Sequence, residues 1–151
     1  MAVAEPVVFD TSVYVAAMRA GPESEPARLL RSRLPRTHLA AVVAAELQAG
    51  VVHAEARRAV AALMRAARRV GRLVTPTFRS WLRAGEVMAV IRRREPRHAS
   101  KLPRLWNDVL IAVSATQIGA TVVSANRRDF ELARRYLSFA LLLVEAEDRS
   151  R

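Results

Sequence analysis

Short apolar runs alternate along the chain with longer segments in which apolar residues recur at helical spacing. The apolar runs predict five strands: Val7–Phe9, His38–Ala41, Arg72–Val74, Thr121–Ser124 and Ser138–Val144. The longer segments predict seven helices: Val13–Arg19, Glu25–Arg33, Val42–His53, Glu55–Val70, Thr77–Arg93, Arg104–Ile118 and Arg127–Tyr136. Strands that alternate with helices imply a mostly parallel sheet with helices packed on its faces, so the predicted fold class is α/β.

The ends of the first helix are predicted from local signals. We expect Thr11 or Ser12 to cap its start, because a hydroxyl oxygen can accept a hydrogen bond from a free N–H of the first turn. Gly21, followed by proline, is expected to end it. The chain has 151 residues and no repeat or long linker. We therefore predict a single domain over residues 1–151, with a polar tail from about residue 145.

The composition excludes several kinds of site. Cysteine is absent, so a disulfide scaffold, thiol catalysis and cysteine-ligated zinc or iron–sulfur centres are excluded. No secretory signal is visible, and the longest uncharged run, Val109–Asn126, is polar enough to be a core helix followed by a strand. We expect a soluble, cytoplasmic protein that does not enter a membrane.

The charge balance favours a polyanionic partner. The chain contains 25 Lys and Arg against 14 Asp and Glu, a net charge of +11. This excess suits nucleic acid or an acidic protein. Almost all of the basic residues are arginine, whose planar fork matches phosphate, although an arginine-rich genome would produce the same bias.

Three carboxylates occupy positions where apolar residues are expected. Asp10 directly follows the first strand, while Glu46 and Asp108 share helix faces with alanine, valine and leucine. Burying an isolated carboxylate costs several kcal/mol, roughly, so each needs a partner or a proton. A salt bridge could supply the partner of any one of them. Asp10 could also be a helix cap, and Asp108 could interact with a helix dipole.

Taken together, the three acids indicate a metal site. Side chains at the carboxyl ends of parallel strands gather at one edge of a sheet. A cluster of carboxylates there suits Mg²⁺ or Mn²⁺, hard cations that bridge phosphate oxygens. Metal-assisted phosphodiester cleavage needs such a cation, and the arginine excess would hold the polyanion. The residues therefore point to a nuclease.

Four motifs, in this order along the chain, resemble those of PIN-domain proteins, and most nearly the VapC-type toxin ribonucleases of bacterial toxin–antitoxin pairs. The four segments are residues 7–12 (VVFDTS), 45–47 (AEL), 107–112 (NDVLIA) and 124–130 (SANRRDF). The resemblance covers about residues 7–144 and implies a three-layer α/β/α fold with a mostly parallel central sheet. It also implies a metal-dependent endoribonuclease that uses Mg²⁺ or Mn²⁺ and hydrolyses RNA, such as tRNA or rRNA, by a metal-activated water.

The resemblance assigns roles to individual residues. Asp10, Glu46 and Asp108 match the family's metal-binding acids. Thr11 and Ser12 match positions beside the first aspartate that could orient a carboxylate or a metal-bound water, or cap the helix. For the fourth acid, either Asp129 completes the cluster, or Asp129 caps a helix while Asn126 supplies a neutral ligand. The expected catalytic and supporting residues are Asp10, Glu46, Asp108, Asp129, Thr11, Ser12 and Asn126.

A basic segment before the Asp108 helix is predicted to bind RNA: Arg92, Arg93, Arg94, Arg97, Lys101 and Arg104. The alternative interpretation of this segment is a solvated helix end.

The resemblance further implies a cognate VapB-type antitoxin and a homodimer. The basic helix Glu55–Arg69 and the apolar residues around Tyr14 and Met18 could line either the antitoxin groove or the dimer interface. The alternative function is a non-catalytic PIN-like module that binds RNA or protein.

Overall fold

The computed structural model describes residues 4–145, which form a five-stranded sheet, seven α-helices and two 3₁₀ helices. The strands are β1 (Val7–Phe9), β2 (Thr37–Ala40), β3 (Leu73–Val74), β4 (Thr121–Ser124) and β5 (Leu141–Leu143). The helices are α1 (Thr11–Ala20), α2 (Glu25–Arg33), α3 (Ala41–Gly50), α4 (Ala54–Arg69), α5 (Phe78–Arg94), α6 (Leu102–Gln117) and α7 (Arg127–Arg134). The 3₁₀ helices are Leu34–Arg36 and Pro96–Lys101.

The sheet has the strand order β3-β2-β1-β4-β5, and all of its pairings are parallel. Val8 of β1 lies between His38 of β2 and Val122 of β4. The chain winds outward from β1 in one direction through β2 and β3, and in the other direction through β4 and β5. The order therefore reverses between β1 and β4, which is where open parallel sheets form a crevice at their carboxyl edge.

Helices cover the sheet in two groups, which confirms the three-layer α/β/α architecture with a parallel central sheet. One buried core joins β1, β2 and β4 to α1, α3 and α4, and includes Ile111 and Ala115 of α6. A second core lies between α5, α6 and α7, around Ile91 and Val109. Helix α6 contributes to both cores, so Asp108 belongs to the most enclosed helix of the fold.

The start of α1 differs from the sequence prediction. Asp10, with extended backbone at φ −67° and ψ 155°, is the N-cap, and its side chain accepts a hydrogen bond from the Ser12 N–H. The prediction that Thr11 or Ser12 caps the helix is therefore wrong, and the alternative that Asp10 is the cap is confirmed. Only Asp10 lies between the end of β1 and the start of α1, so its short carboxylate reaches the Ser12 amide, while both hydroxyls lie within the helix.

Other boundaries moved by a few residues. Helix α6 starts at Leu102 rather than Arg104, since Pro103 lies in its first turn, where a missing N–H costs nothing. Strand β5 is confined to Leu141–Leu143, shorter than the predicted Ser138–Val144. Gly119 follows the C-cap of α6 and has a φ of 63°, a left-handed conformation that favours glycine.

Among residues 4–145, no helix is both long and apolar enough to cross a membrane. The predicted polar tail, apart from Glu145, lies outside the described residues. The assignment of residues 1–151 to a single domain stays a prediction.

Candidate functional site

The carboxyl ends of β1 and β4 meet at the reversal point of the sheet, and this places Asp10 beside Ser124. The Asp10 N–H donates to the Val123 carbonyl at 2.9 Å, which extends the strand pairing by one residue. The Ser124 hydroxyl then donates to Asp10 Oδ2 at 2.9 Å, and the Ser12 hydroxyl donates to the same oxygen at 2.6 Å. Asp10 is only 4% exposed, so these hydroxyls replace the water it has lost.

Both hydroxyls are themselves oriented by backbone amides. Ser12 Oγ accepts from the Ala125 N–H at 3.1 Å, and Ser124 Oγ accepts from the Asn126 N–H at 2.9 Å. Because an amide occupies the acceptor side of each oxygen, each hydroxyl proton is directed toward Asp10. The network therefore holds the Asp10 carboxylate as a fixed acceptor at the sheet edge.

Glu46 is placed by two helices other than its own. The Thr11 hydroxyl on α1 donates to Glu46 Oε2, and Asn107 Nδ2 on α6 donates to Glu46 Oε1 at 2.8 Å. Glu46 is half-buried on α3, while its neighbours Val43 and Leu47 are buried. Both carboxylate oxygens are thus engaged, and the side chain connects α1, α3 and α6.

Asp108 is a buried acid whose pKa is raised. Its side chain is buried between Leu105 and Ala112 of its own helix face. Burial raises its pKa from the ordinary value of 3.8 to about 8, and the negative charges of Asp10, Asp129 and Glu46 act in the same direction. Arg104, one turn earlier on α6, opposes this shift. Asp108 therefore lies within electrostatic range of the other three acids, which converge on this region of the structure.

Asn126 and Asp129 have different positions in the first turn of α7. Asn126 is the N-cap, and its Oδ1 accepts from the Asp129 N–H at 3.4 Å. Its Nδ2 donates to Asp129 Oδ2 at 3.1 Å. The cap is therefore Asn126 and not Asp129, so of the two sequence alternatives, the one that makes Asp129 the cap does not match the structure. Asp129 is instead close enough to Asp108 for its negative charge to raise the pKa of Asp108.

None of the four acids forms a salt bridge within residues 4–145. In the same residues, no group of three or more His, Cys, Asp or Glu side chains forms a ready metal-binding arrangement. The donor set is nevertheless made of oxygens only, which Mg²⁺ and Mn²⁺ prefer. The mutual repulsion that raises the Asp108 pKa is also what a divalent cation would relieve. The residues fit such a cation in donor chemistry and charge.

The basic segment reaches the site mainly through one residue. Arg104 lies in the first turns of α6 and acts on the pKa of Asp108. Arg97 instead contacts the buried Glu95 at 3.3 Å, and Lys101 is the N-cap residue of α6. Arg92, Arg93 and Arg94 form the exposed last turn of α5.

Two residues that contact the acids had no role in the sequence interpretation. Ser124 is completely buried and donates to Asp10, and Asn107 donates to Glu46. Both occur inside the motifs quoted above, Ser124 at the end of a strand and Asn107 directly before an acid. For Ser124 the signal is a polar residue at the carboxyl end of a parallel strand, and for Asn107 it is a polar side chain next to an acid on the buried helix α6.

Comparison with known protein families gives one match. A family model described as "PIN domain" matches residues 7–136, most of the chain. These residues include all four acids and the hydroxyls and amides that hold them. No curated protein matches the chain in sequence.

Solved structures resemble the chain in fold. VapBC2 from Rickettsia felis, bound to a DNA fragment from its promoter, has a TM-score of 0.64 and 18% identity, covering 92% of this chain and 98% of that one. DNA-bound VapBC from Salmonella typhimurium has a TM-score of 0.64 and 19% identity, with 91% and 97% covered. FitAcB from Neisseria gonorrhoeae has a TM-score of 0.60 and 22% identity, with 90% and 96% covered.

Proposed function

This chain belongs to the PIN domain family, and we propose that it is a metal-dependent endoribonuclease, the toxin of a VapBC-type toxin–antitoxin pair. The observation that carries the proposal is the placement of the acids: hydrogen bonds from three other elements hold Asp10 and Glu46, and the buried Asp108 lies within electrostatic range of both and of Asp129. Within residues 4–145 none of these acids forms a salt bridge, and phosphodiester hydrolysis by a bound divalent cation uses carboxylates that are free of such partners. The similar architecture of the VapBC and FitAcB structures agrees with this assignment.

Each site residue has a part in the proposal. Asp10, Glu46, Asp108 and Asp129 would hold Mg²⁺ or Mn²⁺, with Asn126 beside them. When bound, such a cation makes water more acidic and offsets charge on a phosphate. Ser12 and Ser124 keep Asp10 in place, and Thr11 and Asn107 keep Glu46 in place. These positioning contacts act before any substrate arrives, so the site pays no reorganisation cost during the reaction.

We assign RNA as the substrate, with tRNA or rRNA as the proposed target class. A net charge of +11 favours a polyanion, and Arg104, the last residue of the basic segment, lies one helical turn before Asp108. The remaining basic residues assigned to RNA contact are Arg92, Arg93, Arg94, Arg97 and Lys101. Since the proposed substrate is cellular RNA, we assign the site of action to the cytoplasm.

The decisive experiment is cleavage of total bacterial RNA by the purified chain with Mn²⁺ or Mg²⁺, and with EDTA. Asp10→Asn should lose all cleavage, because an amide cannot replace the carboxylate as an anionic ligand. Glu86→Gln, which changes an exposed acid on α5 outside the site, is the matched control and should keep full activity. Cleavage by Asp10→Asn at the wild-type rate would refute the metal-site proposal. A folded wild-type chain that binds RNA without cutting any would support the non-catalytic alternative.

A long apolar groove is the proposed docking site of the antitoxin. A cavity of about 260 Å³ lies between α1, α2 and α4, and an adjoining one of about 320 Å³ continues along α4. Both are lined by Tyr14, whose buried hydroxyl has no hydrogen-bond partner within residues 4–145 and whose pKa burial raises well above its usual range. Arg31 and Arg72 lie on the lining. An apolar segment with an acceptor for Tyr14 and acidic flanks would complement this surface.

Met18 offers a test of this assignment, since it lines the groove and is 44% exposed. Met18→Asp should abolish co-purification with a co-expressed VapB-type antitoxin, because a charge would be buried in the apolar contact. Leu142→Asp, at a comparably exposed position on β5, should keep the complex. If Met18→Asp binds as the wild type does, the antitoxin does not dock in this groove.

We further propose a homodimer. Helix α5 carries a second apolar surface, with Phe78 79% exposed, Leu82 54% exposed and Trp81 51% exposed against Trp106. Exposed aromatic and aliphatic groups of this size mark protein contacts. Light scattering coupled to gel filtration should give twice the chain mass, and Phe78→Asp should reduce it to one chain. A wild-type mass of one chain at micromolar concentration would contradict the dimer.

A further inference from the structure

A second charged feature lies beside the acid cluster, and of its residues only Arg97 has a part in the proposal so far. It is a cavity of about 320 Å³ between the 3₁₀ helix Pro96–Lys101 and one face of α7. We call it the α7 cavity. Its lining consists of Arg97, His98, Arg128, Glu131, Leu132 and Arg135. Arg128, Glu131 and Leu132 lie on α7 at helical spacing, and Arg135 caps its C-terminal end, so these four residues form one continuous wall.

Two of the arginines are held in place by a buried carboxylate. Glu95 accepts from Arg135 at 3.0 Å and from the Tyr136 hydroxyl at 3.0 Å, and it contacts Arg97 at 3.3 Å. The Tyr136 hydrogen bond and the Arg135 guanidinium lower the pKa of Glu95, so it stays charged at neutral pH. The guanidiniums of Arg97 and Arg135 are therefore anchored at one end while they line the cavity. Anchoring reduces the side-chain entropy lost on binding an anion.

The charges around the α7 cavity do not cancel. Glu131 is paired with Arg127 at 3.0 Å, and Glu95 is shared by Arg97 and Arg135. Within residues 4–145, Arg128 forms no salt bridge, and it is exposed. The three arginines of the lining and Arg127 together outnumber the two glutamates by two, so the cavity keeps a positive charge. A phosphate group suits such a site, because a guanidinium can donate two parallel hydrogen bonds to its oxygens.

The position of the cavity links it to the acids. Arg128 directly precedes Asp129, which raises the pKa of Asp108, so the cavity wall and the acid cluster share the first turns of α7. We propose that the α7 cavity binds a phosphate of the RNA strand that flanks the cleaved bond, with Arg128 as the principal contact. The assignment of RNA rests on the proposed function. The binding itself needs no catalysis and can be tested apart from it.

Arg128→Ala tests this site directly. Binding of fluorescein-labelled single-stranded RNA of mixed sequence is followed by anisotropy in EDTA, where no metal-dependent cleavage occurs, over a series of salt concentrations. The substitution should raise Kd roughly threefold to tenfold and reduce the slope of log Kd against log salt by about 0.7, the contribution of one phosphate contact. The Kd of Arg128→Lys should lie between those of the wild type and Arg128→Ala, since lysine keeps the charge but lacks the planar guanidinium that donates two parallel hydrogen bonds. Arg65→Ala, an exposed arginine on α4, is the matched control.

The outcomes separate this inference from the nuclease proposal. Weaker RNA binding by Arg128→Ala, with Arg65→Ala unchanged, supports the phosphate site even if the wild-type chain cuts no RNA. An unchanged Kd and slope for Arg128→Ala overturns it, and so does an equal loss in Arg65→Ala, which would show general charge attraction only. Poly-glutamate of matched charge tests an acidic protein segment as the ligand. If Arg128→Ala weakens poly-glutamate binding as much as RNA binding, the assignment to phosphate fails.

Discussion

The Ser124 hydroxyl at the end of β4 donates a hydrogen bond of 2.9 Å to Asp10 at the end of β1, although 114 residues separate them. Both side chains are buried: Ser124 is completely buried, and Asp10 is 4% exposed. The parallel pairing of β1 with β4 brings the two strand ends together, so the contact is a product of the sheet order. It secures one of the four acids at the point where the strand order reverses.

Removing this hydroxyl should destabilise the protein. Ser124→Ala leaves a buried carboxylate with one donor fewer, and we expect the free energy of unfolding to fall by about 1–3 kcal/mol. Urea unfolding followed by circular dichroism measures the change. Ser124→Thr is the matched control, since it retains a hydroxyl at the same position, and it should unfold close to the wild type. A Ser124→Ala variant as stable as the wild type would show that the hydrogen bond contributes nothing.

The raised pKa of Asp108 predicts that stability falls as pH rises. The folded chain holds the Asp108 proton up to about pH 8, while the unfolded chain releases it near 3.8. Between these values the folded state binds more protons, so the free energy of unfolding decreases with pH. The Asn side chain of Asp108→Asn cannot ionise, so its free energy of unfolding should not fall with pH in this way. Between pH 5 and pH 8.5 the variant should gain more than about 1 kcal/mol of unfolding free energy relative to the wild type, equivalent to roughly one pKa unit.

Thermal melting in EDTA across this pH range measures the effect, with Glu131→Gln as the control for losing an exposed acid. The control should follow the wild-type curve. Parallel curves for the wild type and Asp108→Asn would mean that Asp108 titrates as an ordinary carboxyl.

Glu95 should show the opposite pH dependence. Its pKa is lowered chiefly by the Tyr136 hydrogen bond, and also by Arg135. Its stabilising effect is therefore complete above the pKa of an unfolded glutamate and is lost as pH falls through the lower, folded pKa. Glu95→Gln should melt a few degrees below the wild type at pH 7, and the gap should close on acidification below about pH 4. Glu86→Gln, which breaks an exposed pair with Arg83, should melt with the wild type at both pH values.

Addition of a divalent cation should stabilise the folded chain without any need for substrate. Binding to the folded state alone raises the free energy of unfolding by about 2.7 kcal/mol at a hundred times the dissociation constant. Mn²⁺ should therefore raise the melting temperature of the wild type, and EDTA should reverse the rise. The double variant Asp10→Asn with Asp108→Asn should show no rise beyond that of sodium chloride at equal ionic strength. A rise of the same size in the double variant would place the cation elsewhere.

The sequence predicted the α/β architecture because its signals are local. Helical spacing and short β-prone runs identified every strand and α-helix of the described residues, with ends shifted by a few positions. The apolar neighbours of Asp108 in its own helix predicted its burial, which the structure confirms. The sequence left the cap of the first helix open between Asp10 and the hydroxyls of Thr11 or Ser12, because aspartate, threonine and serine are all good caps and only the length of β1 decides between them.

The sequence by itself determined which acids stand among apolar residues, since that depends on spacing within one helix or strand. Only the tertiary structure decided their partners. Ser124 reaches Asp10, and Asn107 reaches Glu46, because the strand order and the packing of α3 near α6 bring distant segments together. Likewise, Glu95 reads as one acid in a run of arginines, yet it is buried and positions Arg97 and Arg135. Periodicity reports which face a residue occupies, whereas the residue that lies opposite depends on the whole topology.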